Sequence, residues 1–91
     1  MISMHVYFIL DEKSNAIKIG KANHIQERFS DLQTGNPNPL QVIYYIKCST
    51  EQKSEELEKT LHRKFESFRI RPNGEWFTYN ESFFKIGRAH V

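Results

Sequence analysis

Residues 16–29 change from the periodicity of a strand to that of a helix, and this change constrains the fold more than any other feature of the sequence. Ile17 and Ile19 alternate with other residues, as in a strand with one buried face. Apolar residues then recur at helical spacings of four and three: Ile25, Phe29 and Leu32. Gly20 lets the backbone turn or lets another group approach closely, and Asn23 is a candidate N-cap. The stretch therefore predicts a strand that leads directly into an amphipathic helix.

Three cations surround this junction. Lys18 and Lys21 flank the glycine, and Arg28 lies in the predicted helix beside its apolar stripe. That placement costs desolvation unless the guanidinium has an anionic partner, and phosphate or carboxylate is the natural one. The alternative for Arg28 is a surface salt bridge to Glu27 or Asp31. We interpret the cluster as a phosphate-handling site.

The composition indicates one small domain, over residues 1–85, which is cut short at its C-terminal end. Residues 86–91 continue no pattern and are interpreted as a non-native tail. The net charge of +2 does not indicate nucleic-acid binding on its own, although bases gather at residues 18–28 and 63–71. The single cysteine, Cys48, allows no internal disulfide, which indicates a reducing cytoplasm. No apolar run approaches the about 20 residues that a membrane span needs.

The remaining strands and loops follow from alternation and turn residues. Residues 5–10 predict a first strand, and the polar residues 11–15 join it to the second strand as an antiparallel hairpin that places Tyr7 beside Lys18. Two prolines end the first helix within residues 35–39. The β-branched and aromatic residues of 40–48 predict a central strand buried on both faces, with Tyr44 and Tyr45 in the core.

A second helix begins after Ser49 or Thr50, either of which can cap it. Its apolar stripe has spacings of four, four and three: Leu57, Leu61, Phe65 and Phe68. Glu58 and His62 are four residues apart beside this stripe and so lie on one edge of the helix. A short edge strand follows, with Trp76 in the core, and Asn80 can begin a further helix. The fold class is α/β in the α+β sense, with a small central antiparallel three-stranded sheet flanked by helices in the order β-β-α-β-α-β(-α).

The ordered residues Tyr7, Lys18-Ile19-Gly20, Lys21, Arg28 and Glu58 resemble the GIY-YIG nuclease superfamily. The resemblance is closest to the phage-type branch whose second motif is Lys-Ile-Gly and which closes with Gly74-Glu75-Trp76-Phe77, and it covers nearly the whole domain. It implies a metal-dependent DNA endonuclease that hydrolyses phosphodiester bonds by in-line attack of water.

The resemblance also implies roles for individual residues. Tyr7 is placed near the nucleophilic water, with Lys18 as the cation that favours its phenolate or binds phosphate. Arg28 is placed on the phosphate, and Glu58 holds a single Mg2+ or Mn2+ ion together with waters and substrate. Leu32 stands where many members carry a histidine or tyrosine.

Four further residues are predicted substrate contacts. Lys21 matches a lysine of excision-repair members of the superfamily, and His62 lies one helical turn after Glu58. Arg69 and Arg71 are basic residues of the loop before the edge strand, where their charge suits phosphate. Glu75 reads more simply as part of the edge strand than as a second acid.

The predicted partner is DNA, which a separate DNA-binding domain of a longer gene product can help to select, and no membrane partner is expected. The predicted location is the cytoplasm, in association with the nucleoid. The alternative function is a catalytically inactive nucleic-acid-binding module with the same fold, which Leu32 and Lys18 favour. A protein-interaction domain with a solvated cation cluster is the third reading.

Overall fold

The computed structural model describes residues 4–80 and 83. Four strands and two α-helices follow in the predicted order within these residues, with one short 3-10 helix that was not predicted: β1 (Met4–Asp11), β2 (Ala16–Ala22), α1 (Ile25–Thr34), β3 (Leu40–Cys48), α2 (Glu51–Lys64), the 3-10 helix Glu66–Phe68 and β4 (Trp76–Thr78). The strands form one antiparallel sheet in the order β3-β1-β2-β4. The predicted fold class is confirmed, with a sheet of four strands where three were expected.

The two central strands of the sheet are β1 and β2, and the prediction that β3 is central was wrong. Side chains 6–9 of β1 are buried on both faces because apolar or aromatic groups occupy every position. In β3, by contrast, Gln41 and Lys47 are exposed near its two ends, and Tyr45 is 56% exposed. A strand that carries polar groups at alternate positions tolerates an edge, where one side of its ladder faces solvent.

The sheet separates two apolar clusters of unequal size. The larger cluster lies under α2 and contains Val6, Phe8, Ile17, Ile19, Cys48, Leu61, Phe65, Phe77 and Phe83. The smaller cluster lies under α1 and contains Tyr7, Ile9 and Leu40, with half-buried neighbours that include Phe29, Leu32 and Trp76. Phe77 rather than Trp76 is therefore the residue of the edge strand that is fully buried.

The two helices begin differently. Thr50 caps α2 as predicted, because its hydroxyl accepts a hydrogen bond from the backbone N–H of Lys53. The N-cap of α1 is His24, whose side chain makes no capping bond, so the prediction of Asn23 was wrong by one residue. The His24 side chain therefore satisfies none of the free backbone N–H groups in the first turn of α1.

Two predictions fall outside the described residues. The tail at 86–91 lies there, and so does most of the helix expected after Asn80, although Phe83 stacks on Phe65 with ring centroids 4.0 Å apart. Within the described residues, neither helix is long and apolar enough to cross a bilayer.

Candidate active site

Most of the predicted site residues lie around the outer edge of β2, beyond its pairing with β4, and Arg69 and Arg71 do not. Within β2, only Ala16, Ile17 and Lys18 pair with β4. At the next residue, the backbone N–H of Ile19 donates to the Glu75 carbonyl over 3.0 Å, and the Ile19 carbonyl lies 3.0 Å from Nε2 of His62. We call residues 19–22 of β2, with the side chains that reach them, the open edge.

Tyr7 lies directly on Gly20. The two residues are opposite each other in the β1–β2 ladder, and a Cβ atom on Gly20 would lie 2.5 Å from Cζ of the Tyr7 ring. The close approach predicted at Gly20 is confirmed, and its φ is not positive, so no turn explains the glycine. The predicted pairing of Tyr7 with Lys18 was wrong, because Ile9 lies opposite Lys18.

The cation beside Tyr7 is Arg28 rather than Lys18. Arg28 Nε donates to the Tyr7 hydroxyl over 3.5 Å, and none of the ion pairs between described residues involves Arg28. Burial raises the pKa of Tyr7, and the charges of Glu75 and Glu58 raise it further, while the hydrogen bond and charge of Arg28 lower it only in part. The phenol is therefore neutral near neutral pH, and the expected phenolate is not favoured.

Glu58 brings a partly desolvated carboxylate to the same place. Its Oε2 atom is buried and has no hydrogen-bond partner among the described residues. Burial raises the pKa of Glu58 first, and the charge of Glu75 raises it further, whereas His62, Lys21 and Lys18 lower it. A buried oxygen without a partner is costly unless a ligand completes it.

A divalent cation is one ligand that fits this oxygen. The described residues contain no group of three or more histidine, cysteine, aspartate or glutamate side chains that could hold a metal. Mg2+ keeps several waters and needs only one or two carboxylates together with substrate phosphate. Glu58 therefore fits a single, largely hydrated ion, and it does not fit a site enclosed by protein ligands.

Lys18 and Glu75 form an ion pair beside the first residue of β4. Lys18 Nζ lies 2.8 Å from Oε2 of Glu75 and 5.8 Å from the centroid of the Trp76 ring. Lys18 is only 7% exposed, so it is not a solvent-facing lysine. The sequence interpretation gave Glu75 no role, although it carries the charge that influences Tyr7, Arg28 and Glu58. Only the ladder register reveals this role, because Glu75 immediately precedes Trp76, the β4 partner of Lys18.

Lys21 and Arg28 line one groove of about 640 Å3, which we call the Lys21–Arg28 groove. Lys21 is held by Glu55 of α2 over 2.7 Å, and that bond raises the pKa of Lys21. Both residues of this ion pair are partly exposed. An incoming anion can therefore compete with Glu55 for Lys21 at small cost.

The other predicted contacts have different surroundings. His62 packs its ring 5.2 Å from Phe77 and, since a carbonyl only accepts, donates its Nε2 proton to Ile19. Arg69 is paired with Glu66 at 3.1 Å and lies over Phe77, so it serves the fold. Arg71 is exposed in the loop, away from the groove lining. Leu32 packs in the smaller apolar cluster, not at the open edge.

Comparison with known proteins adds one finding. Residues 4–85 match the T5orf172 domain, which occurs in endonuclease-like proteins of phages and mobile elements and is loosely related to the GIY-YIG nucleases. No curated protein and no solved structure matches the chain significantly. The match confirms a phage-type, endonuclease-like domain of this kind, and the narrower branch of the GIY-YIG nucleases stays a prediction.

Proposed function

The chain belongs to the T5orf172 domain family, and from this membership and the open edge we propose that it is a DNA endonuclease domain that hydrolyses phosphodiester bonds with one divalent metal ion. One observation carries the proposal. Tyr7, Arg28 and Glu58 come from β1, α1 and α2. Arg28 Nε donates to the Tyr7 hydroxyl over 3.5 Å, and Glu58, whose buried Oε2 has no hydrogen-bond partner among the described residues, lies within electrostatic reach of the same hydroxyl. A phenol, a guanidinium and a carboxylate that converge in this way match the needs of phosphoryl transfer.

Arg28 is proposed to bind the scissile phosphate. Its Nε is occupied by Tyr7, and its side chain is otherwise exposed at the groove that Lys21 also lines. The remaining guanidinium N–H groups can donate to two phosphate oxygens at once. Lys21 adds a second positive charge, which attracts the backbone without orienting it.

Tyr7 is proposed to orient the attacking water. Because Arg28 donates to the phenol oxygen, the phenol's own proton is free to be donated elsewhere. The raised pKa keeps that proton in place near neutral pH. Tyr7 therefore acts as a hydrogen-bond donor to water or to a phosphate oxygen, and not as the phenolate that the sequence interpretation expected.

Glu58 is the residue that would hold the metal ion, and the bound ion would neutralise the charge that develops on the leaving oxygen. The ion pair of Lys18 with Glu75 keeps a second carboxylate close to Glu58 while it offsets part of that charge. Lys18 thus influences Glu58 through Glu75.

We propose that the protein acts in the cytoplasm, on DNA of the nucleoid.

A binding module without turnover is the second candidate. The raised pKa of Tyr7 and the position of Leu32 in the apolar cluster favour it, since neither supplies a ready general base. The two candidates differ in what Glu58 does. It is required for turnover in a nuclease, whereas in a binder its negative charge opposes DNA.

The test is incubation of the protein with labelled duplex, branched and single-stranded DNA, with Mg2+, with Mn2+ and with chelator. The nuclease proposal predicts metal-dependent cleavage that Glu58→Ala abolishes and that Arg28→Ala lowers by about 100- to 1,000-fold. Glu56→Ala, an exposed neighbour on the same helix, is the matched control and should cut normally. Wild-type protein that binds DNA without cutting it, with affinity unchanged or raised by Glu58→Ala, would establish the binding module instead.

A further inference from the structure

A second groove continues from the Lys21–Arg28 groove around the start of α1. It has a volume of about 440 Å3 and shares three lining residues with the first groove: Asn23, His24 and Glu27. On the sheet it is lined by Tyr45 and His5. We call it the Tyr45 groove. Its size is that of a small-molecule site, and one end opens onto the residues that are proposed to bind phosphate.

Tyr45 is the exposed aromatic residue of this groove. It lies opposite Tyr7 in the β1–β3 ladder, so the two side chains leave the same face of the sheet from neighbouring strands, about 5 Å apart at the backbone. Tyr45 is 56% exposed, whereas Tyr7 is 1% exposed. The His5 ring stands edge-on to Tyr45 with centroids 5.4 Å apart and an interplanar angle of 81°. This contact holds the Tyr45 ring while leaving much of its surface open.

The adjacent Tyr44 shows that exposure is particular to Tyr45. Tyr44 stacks on Phe8 with centroids 4.3 Å apart, and its hydroxyl donates to the Phe83 carbonyl over 3.1 Å. The sequence interpretation placed both tyrosines in the core, and for Tyr45 this was wrong. Tyr44 is half-buried, and both its ring and its hydroxyl have partners in the fold, whereas a large part of the Tyr45 ring is uncovered.

We propose that the Tyr45 ring stacks an unpaired nucleobase of the same DNA strand whose phosphate lies at Arg28. This inference rests on the proposed function and specifies its substrate as DNA with unpaired nucleotides beside the phosphate, such as a flap, an overhang or a single strand. In a duplex both faces of each base are covered by neighbouring bases, so an aromatic side chain stacks only on a base that has left the helix. Continuity of the two grooves selects this occupant, because one strand can place its phosphate in the first groove and its base in the second.

The lining of the Tyr45 groove suits a base better than a phosphate. Glu27 is the acid among its lining residues, and the side chains of Asn23 and Gln26 can donate to or accept from the polar edge of a base. Stacking on aromatic side chains is tolerant of sequence because every base has a π face. The Tyr45 groove therefore selects for unpaired structure and adds little preference for a particular base.

The test measures binding to three DNAs of one sequence by fluorescence anisotropy: a blunt duplex, the same duplex with a single-stranded flap, and the single strand. Tyr45→Thr removes the ring and keeps a residue suited to strands. It should weaken binding of the flap and the single strand by about 5- to 100-fold and change duplex binding less than about twofold. Tyr45→Phe should restore wild-type binding. Ile70→Thr, at a residue with 52% exposure outside the groove, is the matched control and should have no effect.

The outcomes separate this inference from the proposed function. Equal binding of the flap by wild-type protein and Tyr45→Thr overturns the inference, and so does an equal loss for all three DNAs. If Tyr45→Thr still cleaves DNA with metal and keeps its preference for the flap, the endonuclease proposal holds and the stacking inference is overturned. Binding of unpaired DNA through Tyr45 without any cleavage keeps the inference and removes the endonuclease. A dimer that Tyr45→Thr dissociates, detected by sedimentation, would show that a second copy occupies the groove, and this also overturns the inference.

Discussion

The two faces of the sheet differ in how completely they are buried. Under α2, nine buried residues among those that the structure describes form the larger cluster, and all of them are apolar or a thiol. Under α1 the buried cluster has three members, one of which is Tyr7, and α1 itself has no fully buried residue. The α2 face can therefore supply most of the stability. The α1 face, which is lightly covered and carries Arg28, can accept polar groups that a ligand completes.

The largest effect that tests this comparison is on stability. Phe65→Ala removes a side chain that is 1% exposed under α2 and should lower the free energy of unfolding by about 3–5 kcal/mol. Phe29→Ala removes a half-buried ring of α1 and should cost about 1 kcal/mol, since much of that ring already contacts water. Urea denaturation followed by circular dichroism measures both. Equal costs would show that the two faces contribute alike.

A smaller stability effect, with a larger effect on activity, is expected at Gly20. Gly20→Ala inserts a methyl group where the Tyr7 ring lies, so it should displace that ring and cost about 1–3 kcal/mol. Cleavage should fall by at least about tenfold, because the Tyr7 hydroxyl and Arg28 lose their alignment. Gly35→Ala is the matched control, since its added Cβ would meet only carbonyl oxygens 3.9 Å away. Unchanged cleavage by Gly20→Ala would remove Tyr7 from the site.

Two ion pairs sharpen the comparison between buried and exposed charges. Glu75→Gln leaves the Lys18 ammonium, whose side chain is 9% exposed, without its partner and should cost about 1–2 kcal/mol after allowance for the partial exposure of Glu75. Glu55→Gln breaks the exposed pair with Lys21 and should change stability by less than about 0.5 kcal/mol. Thermal unfolding at low and high salt distinguishes them. Salt should reduce only the Glu55 effect, because exposed charges are screened.

The sequence predicted the elements and their order, but it did not predict which strand lies at the centre. Helical and strand periodicity act over a few residues, so the hairpin, the cap at Thr50 and the stripe of α2 could all be inferred. The position of a strand in a sheet depends on long-range pairing. The apolar run of β3 indicated a central strand, but β3 lies at the edge of the sheet, and β1, which is buried on both faces, lies inside it.

The candidate site was predicted in its residue types more fully than in its contacts. The family resemblance named Tyr7, Arg28 and Glu58, which the structure brings within electrostatic reach of one another. It assigned the cation beside Tyr7 to Lys18, because a two-residue error in ladder register is invisible to periodicity. The role of Glu75 was not predicted, because it depends on contacts with Lys18 and Glu58, which lie far from Glu75 in the sequence.

The smallest predicted effect concerns the pH dependence of stability and isolates the cost of burying Glu58. Its pKa is raised above the ordinary 4.5, chiefly by burial and then by Glu75, so the folded state holds the proton to a higher pH than the unfolded state does. The stability linked to this proton is fully present below pH 4.5 and is lost as pH rises through the folded pKa. Glu58→Gln should therefore raise the melting temperature slightly at neutral pH, and the gain should vanish as pH falls towards 4.5. Glu56→Gln, exposed on the same helix, is the control. In a Glu75→Gln background the gain should shrink, because the second cause of the raised pKa is gone. No gain at any pH would place the Glu58 carboxylate in solvent and remove the reason for a metal ion there.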